Sequence, residues 1–447
     1  MSKYIAAIEL GTTKVATIVG ERTSQGVKIL GYSEAPSVGG IRRGEVINIQ
    51  KTVNSLLPTI ADVEAQIEGK ISSVYVGISG YNVRGETANL RKSRKNEELV
   101  SEEEIAQMLE EIYFTRVETG EQVFHVIPQS YNVGEEMYTT DPVGMMGSEV
   151  EGNYRLFIGK TSSATHTKSV ISRAGLKLEK LMLKPIASAS AVLTSDEMEL
   201  GVVLVNIGGG TTDVLIYHDN IIRHSAVIPF AGKSITEDIR QVCGVPIKYA
   251  KRLKETYGSC LSEYVPENKT IIIPGMGASG DKEISNKLLS STIESRIEEI
   301  IATVIKEIDK SNYKKRIRAG IVITGGSANL IHLEQLVAHM TGMPVRIAAP
   351  DLDIMTANSV ESIFNNPGAS TAVGLLVEAL ASFSNPDDKQ EEYEDTLFPR
   401  EEMPEEKTEV STEAKGKKRE KRTEPRKSVK ETIGGIFSSF FEPENEA

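Results

Sequence analysis

The feature that most constrains the fold is a glycine- and threonine-rich turn that occurs twice, each time after a short apolar run. The first copy is Ile8-Glu9-Leu10-Gly11-Thr12-Thr13-Lys14-Val15, and the second is Val205-Asn206-Ile207-Gly208-Gly209-Gly210-Thr211-Thr212-Asp213-Val214. Each apolar run predicts a buried strand, and each turn leads directly into a further strand. The copies lie about 197 residues apart, counted from Gly11 to Gly208, so they predict a duplicated domain and not a short-period repeat.

Strands and helices alternate along the chain up to about Ser384. Short buried strands are predicted at residues 4–8, 73–78, 202–205 and 319–324. Amphipathic helices are predicted between strands, for example over 102–112 and 291–308. This alternation predicts an α/β fold with parallel or mixed sheets, and 447 residues suffice for two or three domains.

Charge and composition exclude several classes of protein. The formal net charge of −12 disfavours a general nucleic-acid binder, because the long-range field repels phosphate. The two cysteines, Cys243 and Cys260, provide neither a disulfide framework nor a zinc cluster, and a reducing cytoplasm is the expected compartment. The apolar runs are far shorter than the ~20 residues that span a bilayer. We therefore expect a protein that stays inside the cell and does not cross a membrane.

The two turns have the composition of a phosphate site. Glycine lets backbone N–H groups approach a phosphate closely, and threonine hydroxyls add donors. The predicted phosphate ligands are Gly11, Thr12, Thr13 and Lys14 in the first turn, and Gly208, Gly209, Gly210, Thr211 and Thr212 in the second. Glu9, Asn206 and Asp213 beside the turns are candidates to hold hydrated Mg²⁺. The alternative for either turn alone is an ordinary hairpin whose glycines supply positive φ.

A third turn predicts where a nucleoside would bind. Thr324-Gly325-Gly326-Ser327 follows a predicted strand and begins a helix, and its glycines suit close approach of an adenine and its ribose. A helix over residues 248–258 could form the opposite wall, with Lys254 and Glu255 as candidate contacts. The alternative for this helix is a basic face exposed to solvent.

The order and separation of the three turns resemble the actin, Hsp70 and sugar-kinase superfamily of ATPases. Four further motifs resemble the bacterial cell-division family FtsA. They are Gly39-Gly-Ile-Arg-Arg-Gly-Glu-Val46, Val76-Gly-Ile-Ser-Gly80, Asp141-Pro-Val-Gly-Met145 and Pro229-Phe-Ala-Gly-Lys-Ser-Ile-Thr-Glu-Asp-Ile239. The resemblance extends over about residues 1–380 and includes the terminal apolar segment. It is specific, because an insertion with Asp-Pro-x-Gly-Met is typical of FtsA and not of actin or Hsp70.

The resemblance implies an actin-like α/β fold of two lobes with duplicated sheets and an inserted small α+β subdomain. The implied boundaries are 1–83 and 163–200 for the first lobe, 84–162 for the inserted subdomain, 201–235 and 319–384 for the second lobe, and 236–318 for its outer subdomain. The resemblance also implies ATP and Mg²⁺ as ligands and self-association into a filament. It further implies that the protein anchors FtsZ filaments to the cytoplasmic membrane at the septum and recruits later division proteins through residues 84–162.

By the same resemblance, the tail of the tubulin-like FtsZ should dock on the outer subdomain. Arg296 and Glu299, on the predicted helix from Ser291, are our first choice for this contact. The alternative is that both are ordinary solvent-exposed helix charges.

Two departures from the superfamily bear on catalysis. The superfamily opens each phosphate turn with Asp, whereas this chain has Glu9 and Asn206. Ser190 stands where actin-like relatives place a water-orienting Gln or Glu, so Glu9, Asp213 and Ser190 are the remaining catalytic candidates. Phosphoryl transfer depends on positioning and charge neutralisation, and these losses should reduce turnover more than binding. We expect ATP to be mainly a structural ligand, with weak or negligible hydrolysis.

The composition changes abruptly after Ser384. Residues 385–413 contain twelve acidic and three basic residues, and residues 415–430 contain nine basic and two acidic, which predicts a disordered linker over 385–428. The segment 429–441 then presents an apolar face at helical spacing, formed by Ile433, Ile436, Phe437, Phe440 and Phe441. Beside the basic block, this predicted amphipathic helix suits a reversible membrane anchor, and the alternative is a helix that docks on a protein.

Two other classes of function share part of this pattern. A sugar kinase would use the same nucleotide turns, but it needs a strong catalytic carboxylate and gains nothing from the tail. An Hsp70-like chaperone would need a β-rich peptide-binding domain after residue 384, and the tail cannot form one.

Overall fold

The computed structural model describes residues 4–23, 26–94, 99–134, 137–274, 280–350, 354–356 and 365–383. Residues Met1–Asp388 form one compact unit. The predicted linker over 385–428 and the predicted helix over 429–441 lie outside the described residues. Within the described part, no helix is both long enough and apolar enough to cross a bilayer.

The strands are β1 (Ile5–Leu10), β2 (Lys14–Thr23), β3 (Gly26–Pro36), β4 (Ile41–Arg42), β5 (Glu45–Val46), β6 (Ser73–Ile78), β7 (Arg84–Ser93), β8 (Glu121–Val133), β9 (Met137–Thr139), β10 (Glu149–Lys160), β11 (Lys177–Leu183), β12 (Val202–Ile207), β13 (Thr212–His218), β14 (Ile221–Ile228), β15 (Thr270–Ile273), β16 (Lys282–Ser285), β17 (Gly320–Thr324), β18 (Val345–Ile347) and β19 (Ile354–Thr356). The α-helices are α1 (Ile49–Gln66), α2 (Glu102–Tyr113), α3 (Thr161–Arg173), α4 (Lys184–Val192), α5 (Ser195–Leu200), α6 (Gly232–Val242), α7 (Ile247–Tyr257), α8 (Asn286–Lys310), α9 (Leu333–Thr341) and α10 (Ser370–Phe383). Short 3₁₀ helices occur at Ser262–Tyr264, Lys314–Arg316, Gly326–Asn329 and Pro367–Ala369.

Two sheets repeat one topology. The first has the order β11-β6-β1-β2-β3-β19, and the second has the order β14-β13-β12-β17-β18. In each sheet a central strand pairs antiparallel with the strand that follows its glycine turn and parallel with a later strand: β1 with β2 and β6, and β12 with β13 and β17. The four strands predicted from apolar runs are all present, and the duplication that the repeated turn predicts is confirmed.

The core between the sheets includes side chains of α4 and α10, such as Ala187, Val192, Val373 and Leu376. A second core lies between β12, β13, β17 and the helices α6, α7, α8 and α9. In α8 the buried residues recur every three or four positions, from Ile293 to Ile308, as expected for a helix with one face on a core. This arrangement fixes the ends of β1 and β12, and therefore the two turns, against each other.

The predicted second lobe included all of residues 319–384, and the structure differs from this assignment at two elements. β19 pairs with β3 of the first sheet, and α10 packs against α4, β1 and β2. The buried side chains of α10 include Ala372, Leu375 and Ala379. The helix is apolar on most of its surface because it lies between layers, and such a helix gives no periodic signal that would assign it to one sheet. The other predicted boundaries remain predictions.

The inserted segment forms its own sheet, in the order β7-β10-β8-β9, with α2 packed on it. Its core contains Met108, Val150 and Tyr154. The segment therefore buries apolar side chains independently of the two large sheets.

Candidate functional site

The two glycine turns contact each other across the molecule. In the first, the Gly11 N–H donates to the Lys14 carbonyl at 2.8 Å, and in the second the Gly208 N–H donates to the Thr211 carbonyl at 3.0 Å. A Cβ atom on Gly209 would lie 2.4 Å from Cγ2 of Thr13. A Cβ atom on Gly210 would lie 2.3 Å from Oγ1 of Thr12. A side chain at 209 or 210 would force Thr13 or Thr12 to shift, and the predicted phosphate ligands of both turns are brought together.

The hairpin formed by β4 and β5 supports the first turn. The Gly44 N–H donates to Thr12 Oγ1 at 3.0 Å, and the Ser37 hydroxyl donates to the Thr12 carbonyl at 2.6 Å. The motif Gly39–Val46 was noted in the sequence only as part of a resemblance. Its contact with Thr12 gives it a structural role in holding the turn.

The third turn meets the second turn and α7. Ser327 Oγ donates to the Gly208 carbonyl at 3.3 Å, and Lys254 Nζ donates to the Gly232 carbonyl at 3.0 Å. The Gly232 N–H in turn donates to the Gly208 carbonyl at 3.1 Å. Burial lowers the pKa of Lys254 to about 8. The predicted nucleoside wall and the second phosphate turn thus form one continuous surface.

Unlike the half-buried Lys254, Glu255, the other candidate on α7, is exposed to solvent. Its side chain is 56% exposed and faces Lys251 at 3.8 Å. The structure therefore places Glu255 at the solvent side of the helix.

Two buried carboxyl groups lie next to the turns. Burial raises the pKa of Glu9 above its usual range, although Lys14 and Lys184 oppose the shift. Burial likewise raises the pKa of Asp213 to about 6, opposed by Lys184 and by a hydrogen bond from Thr211. Oε2 of Glu9 and Oδ1 of Asp213 are buried and have no hydrogen-bond partner among the described residues. Such oxygens are costly to desolvate unless a cation or water satisfies them.

Lys184 was not singled out from the sequence. It is the first residue of α4, is 6% exposed, and donates through Nζ to the Leu10 carbonyl at the end of β1. Burial lowers its pKa, and Glu9 and Asp213 oppose that shift. The sequence feature that could have drawn attention to Lys184 is its position: a lysine stands between the apolar run that ends at Leu183 and an alanine-rich helix.

Asn206 contacts the helices as well as the turn. Its Nδ2 donates to Ser188 Oγ at 2.9 Å and to Thr371 Oγ1 at 3.2 Å, and these two hydroxyls lie 2.9 Å apart. This buried network links β12 to α4 and α10. Ser188 and Thr371 were also missed in the sequence. Thr371 lies 165 positions from Asn206 and 183 from Ser188, and Ser188, although only 18 positions from Asn206, lies on a different element.

Ser190 has its described hydrogen bonds away from the turns. Its Oγ donates to the carboxylate of Glu378 on α10 and to the Ile186 carbonyl at 3.3 Å. None of these bonds reaches a residue of the three turns. The structure therefore does not bring Ser190 together with Glu9 and Asp213, and its catalytic role stays an unsupported prediction.

The residues present fit a triphosphate with a hydrated divalent cation. The facing turns offer backbone N–H groups and threonine hydroxyls, and Glu9 and Asp213 offer unpartnered carboxylate oxygens. Within the described ranges, no group of three or more His, Cys, Asp and Glu side chains could hold a metal by itself. An ion held here would depend on water and phosphate oxygens for most of its ligands, as Mg²⁺ commonly does.

A separate groove of about 380 Å³ lies between α6 and α8. Arg296 lines it and donates to both carboxylate oxygens of Asp238, at 2.6 and 2.9 Å, and to Glu299. Val242, which is 52% exposed, adds an apolar patch to the same groove. The two candidate partner residues are therefore adjacent and line a concave surface.

Comparison with known proteins identifies the family. The family model described as "Cell division protein FtsA" matches residues 203–374, and the model "SHS2 domain inserted in FTSA" matches residues 78–158. The cell division protein FtsA of Pseudomonas aeruginosa is 33% identical over 384 residues, which are 86% of this chain and 91% of that protein. The chain belongs to the FtsA family. FtsA of Escherichia coli K12 is 32% identical over 84% of this chain and 90% of its own length.

Solved structures agree on the fold. The PilM–PilN type IV pilus biogenesis complex matches with a TM-score of 0.59 at 14% identity, over 84% of this chain and 98% of that chain. MreB5 of Spiroplasma citri bound to AMPPNP matches with a TM-score of 0.52 at 15% identity, over 86% of this chain and 96% of that chain. The actin-like α/β fold that the resemblance implied is confirmed, as is the FtsA resemblance itself.

Proposed function

We propose that this chain is an ATP-binding member of the FtsA family that polymerises and anchors FtsZ filaments to the cytoplasmic membrane at the division septum. The observation that carries the nucleotide part is the direct contact of two glycine–threonine turns beside two buried carboxyl groups. The AMPPNP named for MreB5, which has the same fold, supports nucleotide binding as such. A sugar-kinase or chaperone role gains no support from family membership.

ATP in this site would be held by the turn backbones, with Mg²⁺ neutralising its phosphates near Glu9 and Asp213. Lys254 and Ser327 border the expected nucleoside side. Asn206 has no carboxylate and Ser190 bonds to Glu378, so neither supplies the charge or the water-orienting contact that phosphoryl transfer uses. Weak or negligible hydrolysis follows. Calorimetric titration with ATP tests the binding. A phosphate-release assay on polymerised protein tests the weak hydrolysis, and rapid turnover would contradict it.

We propose that FtsZ is recognised in the groove between α6 and α8. A concave surface with an exposed valine suits a short peptide with apolar side chains, and a carboxylate on that peptide would compete with Asp238 and Glu299 for the Arg296 guanidinium. Later division proteins are proposed to bind the inserted subdomain. Self-association is proposed from the family and the actin-like fold.

Replacing Arg296 with alanine should weaken binding of an FtsZ tail peptide by about tenfold or more, since arginine anchors typically contribute over 1.4 kcal/mol. Fluorescence anisotropy with a labelled tail peptide measures this change. Arg240→Ala is the matched control, because Arg240 lies on α6, the other helix beside the groove, pairs with Glu237 and does not line the groove. Equal affinities of the two variants would place the FtsZ site elsewhere.

Membrane anchoring is proposed for residues 429–441. Changing Phe440 and Phe441 to glutamate should abolish most liposome co-sedimentation, because it removes two large apolar side chains and adds charges facing anionic lipid. The control is Ser438→Glu with Ser439→Glu, which adds the same charge at positions off the apolar face. We expect the control to pellet with anionic liposomes more strongly than the phenylalanine variant. The same pelleting of both variants and wild type would remove the anchor hypothesis.

A further inference from the structure

Lys184 is placed by the fold at the phosphate end of the first sheet. It follows β11 directly, and its ammonium group donates to the Leu10 carbonyl, one residue before Gly11 of the first turn. The side-chain stem passes over Gly77, where a Cβ atom would lie only 2.9 Å from Lys184 Cγ. Gly77 is the register partner of Glu9 in the parallel pair of β1 and β6. The absence of a side chain at 77 thus leaves room for the lysine beside the glutamate.

The charges around Lys184 are few and buried. Glu9 and Asp213 are the acidic groups whose charges act on it, and each has one carboxylate oxygen without a partner among the described residues. The other nearby lysine, Lys14, is held by Glu34 at 2.5 Å and by Tyr32 at 3.1 Å. Lys14 also acts on Glu9, but its charge is offset by the ion pair with Glu34. Lys184 instead donates to a neutral carbonyl and acts on both Glu9 and Asp213.

We propose that Lys184 is a built-in cation of the phosphate site, which reduces the dependence of ATP binding on Mg²⁺. The proposal rests on the proposed ATP binding. Two ionised carboxylates alone would present a charge of −2 to an anionic triphosphate, whereas with the Lys184 ammonium the charge is −1. In a buried site of low effective dielectric, one unit of charge within a few ångströms changes an affinity strongly. Without this lysine, the divalent ion would have to supply a larger share of the compensation.

The test compares the dissociation constant of a fluorescent ATP analogue in excess Mg²⁺ and in excess EDTA, for wild type and for Lys184→Met. Methionine has a similar length and no charge. The ratio of the two constants, EDTA over Mg²⁺, should be at least about tenfold larger for Lys184→Met than for wild type. Lys184→Arg, which keeps the charge, should retain a ratio close to that of wild type. A lysine with only a structural role would change affinity by the same factor in both conditions.

Several outcomes overturn the proposal. Equal ratios for wild type and Lys184→Met would overturn it and leave the proposed ATP binding intact. Complete loss of ATP-analogue binding by wild type in EDTA would also overturn it. This measurement needs no variant, so it remains decisive if Lys184→Met does not fold. Absence of binding by wild type in both conditions would overturn the proposal together with the proposed function.

Discussion

Alanine at Gly325 should destabilise the protein by about 3 kcal/mol, whereas alanine at the adjacent Gly326 should change stability by less than about 1 kcal/mol. Gly325 has φ +90, a region that costs any other residue energy. A Cβ atom there would lie 2.4 Å from Asn206 Oδ1 and 2.6 Å from the Ile207 carbonyl. The backbone carbonyl cannot rotate away without disturbing β12. At Gly326 no atom lies within 4 Å of the added Cβ.

Gly325→Ala and Gly326→Ala should also differ in their affinity for ATP. A shift of Gly325 moves Asn206 and the end of β12, and therefore the second phosphate turn that follows it. We expect ATP to raise the melting temperature of wild type and Gly326→Ala but not of Gly325→Ala. Urea unfolding gives the stability difference, and thermal scans with and without Mg-ATP give the binding difference. Similar behaviour of both variants would show that the third turn is not coupled to the second.

The turns were predictable from the sequence because their signal is local. Gly209, Gly210 and Gly325 are glycines at positions where a Cβ would meet a neighbouring atom at less than 3 Å, and glycine clusters after apolar runs are visible in the sequence. The duplicated sheet topology followed from the repetition of the turn. The FtsA motifs then supplied the inserted subdomain, which periodicity alone could not have separated from the first lobe.

The residues that the sequence did not reveal act through long-range contacts. Lys184 reaches Leu10 across 174 positions, and Thr371 accepts from Asn206 across 165. Ser190 was chosen by its place in a helix, but its hydroxyl direction depends on Glu378 of α10. No local pattern reports which side of a central helix faces the cleft when both sides are buried. The position of α10 between the sheets is the missing information for Asn206 and Ser190, and for Lys184 it is the approach of the end of β1 to the start of α4.

Asparagine at position 213 should make the nucleotide-free protein more stable at neutral pH while it removes binding of Mg-ATP. The folded pKa of Asp213 is raised from 3.8 to about 6. A raised folded pKa means that the folded state holds the proton over a range in which the unfolded state has released it. The free energy of unfolding therefore falls as the pH rises from about 4 to 6. At a pH above both pKa values, the total loss is roughly 3 kcal/mol.

Asparagine has nearly the same shape and no charge to desolvate, so Asp213→Asn should recover up to this amount at pH 7.5 and nothing below pH 4. Urea unfolding of the two proteins across this pH range measures the gain. Asp309→Asn is the control, because Asp309 forms an exposed pair with Lys314 and should change stability by less than about 1 kcal/mol. If Asp213→Asn is less stable than wild type at pH 7.5, the attraction between Asp213 and Lys184 exceeds the cost of burying the carboxylate. If it is more stable but no longer gains stability from Mg-ATP, the carboxylate is retained for its ligand at the expense of the fold.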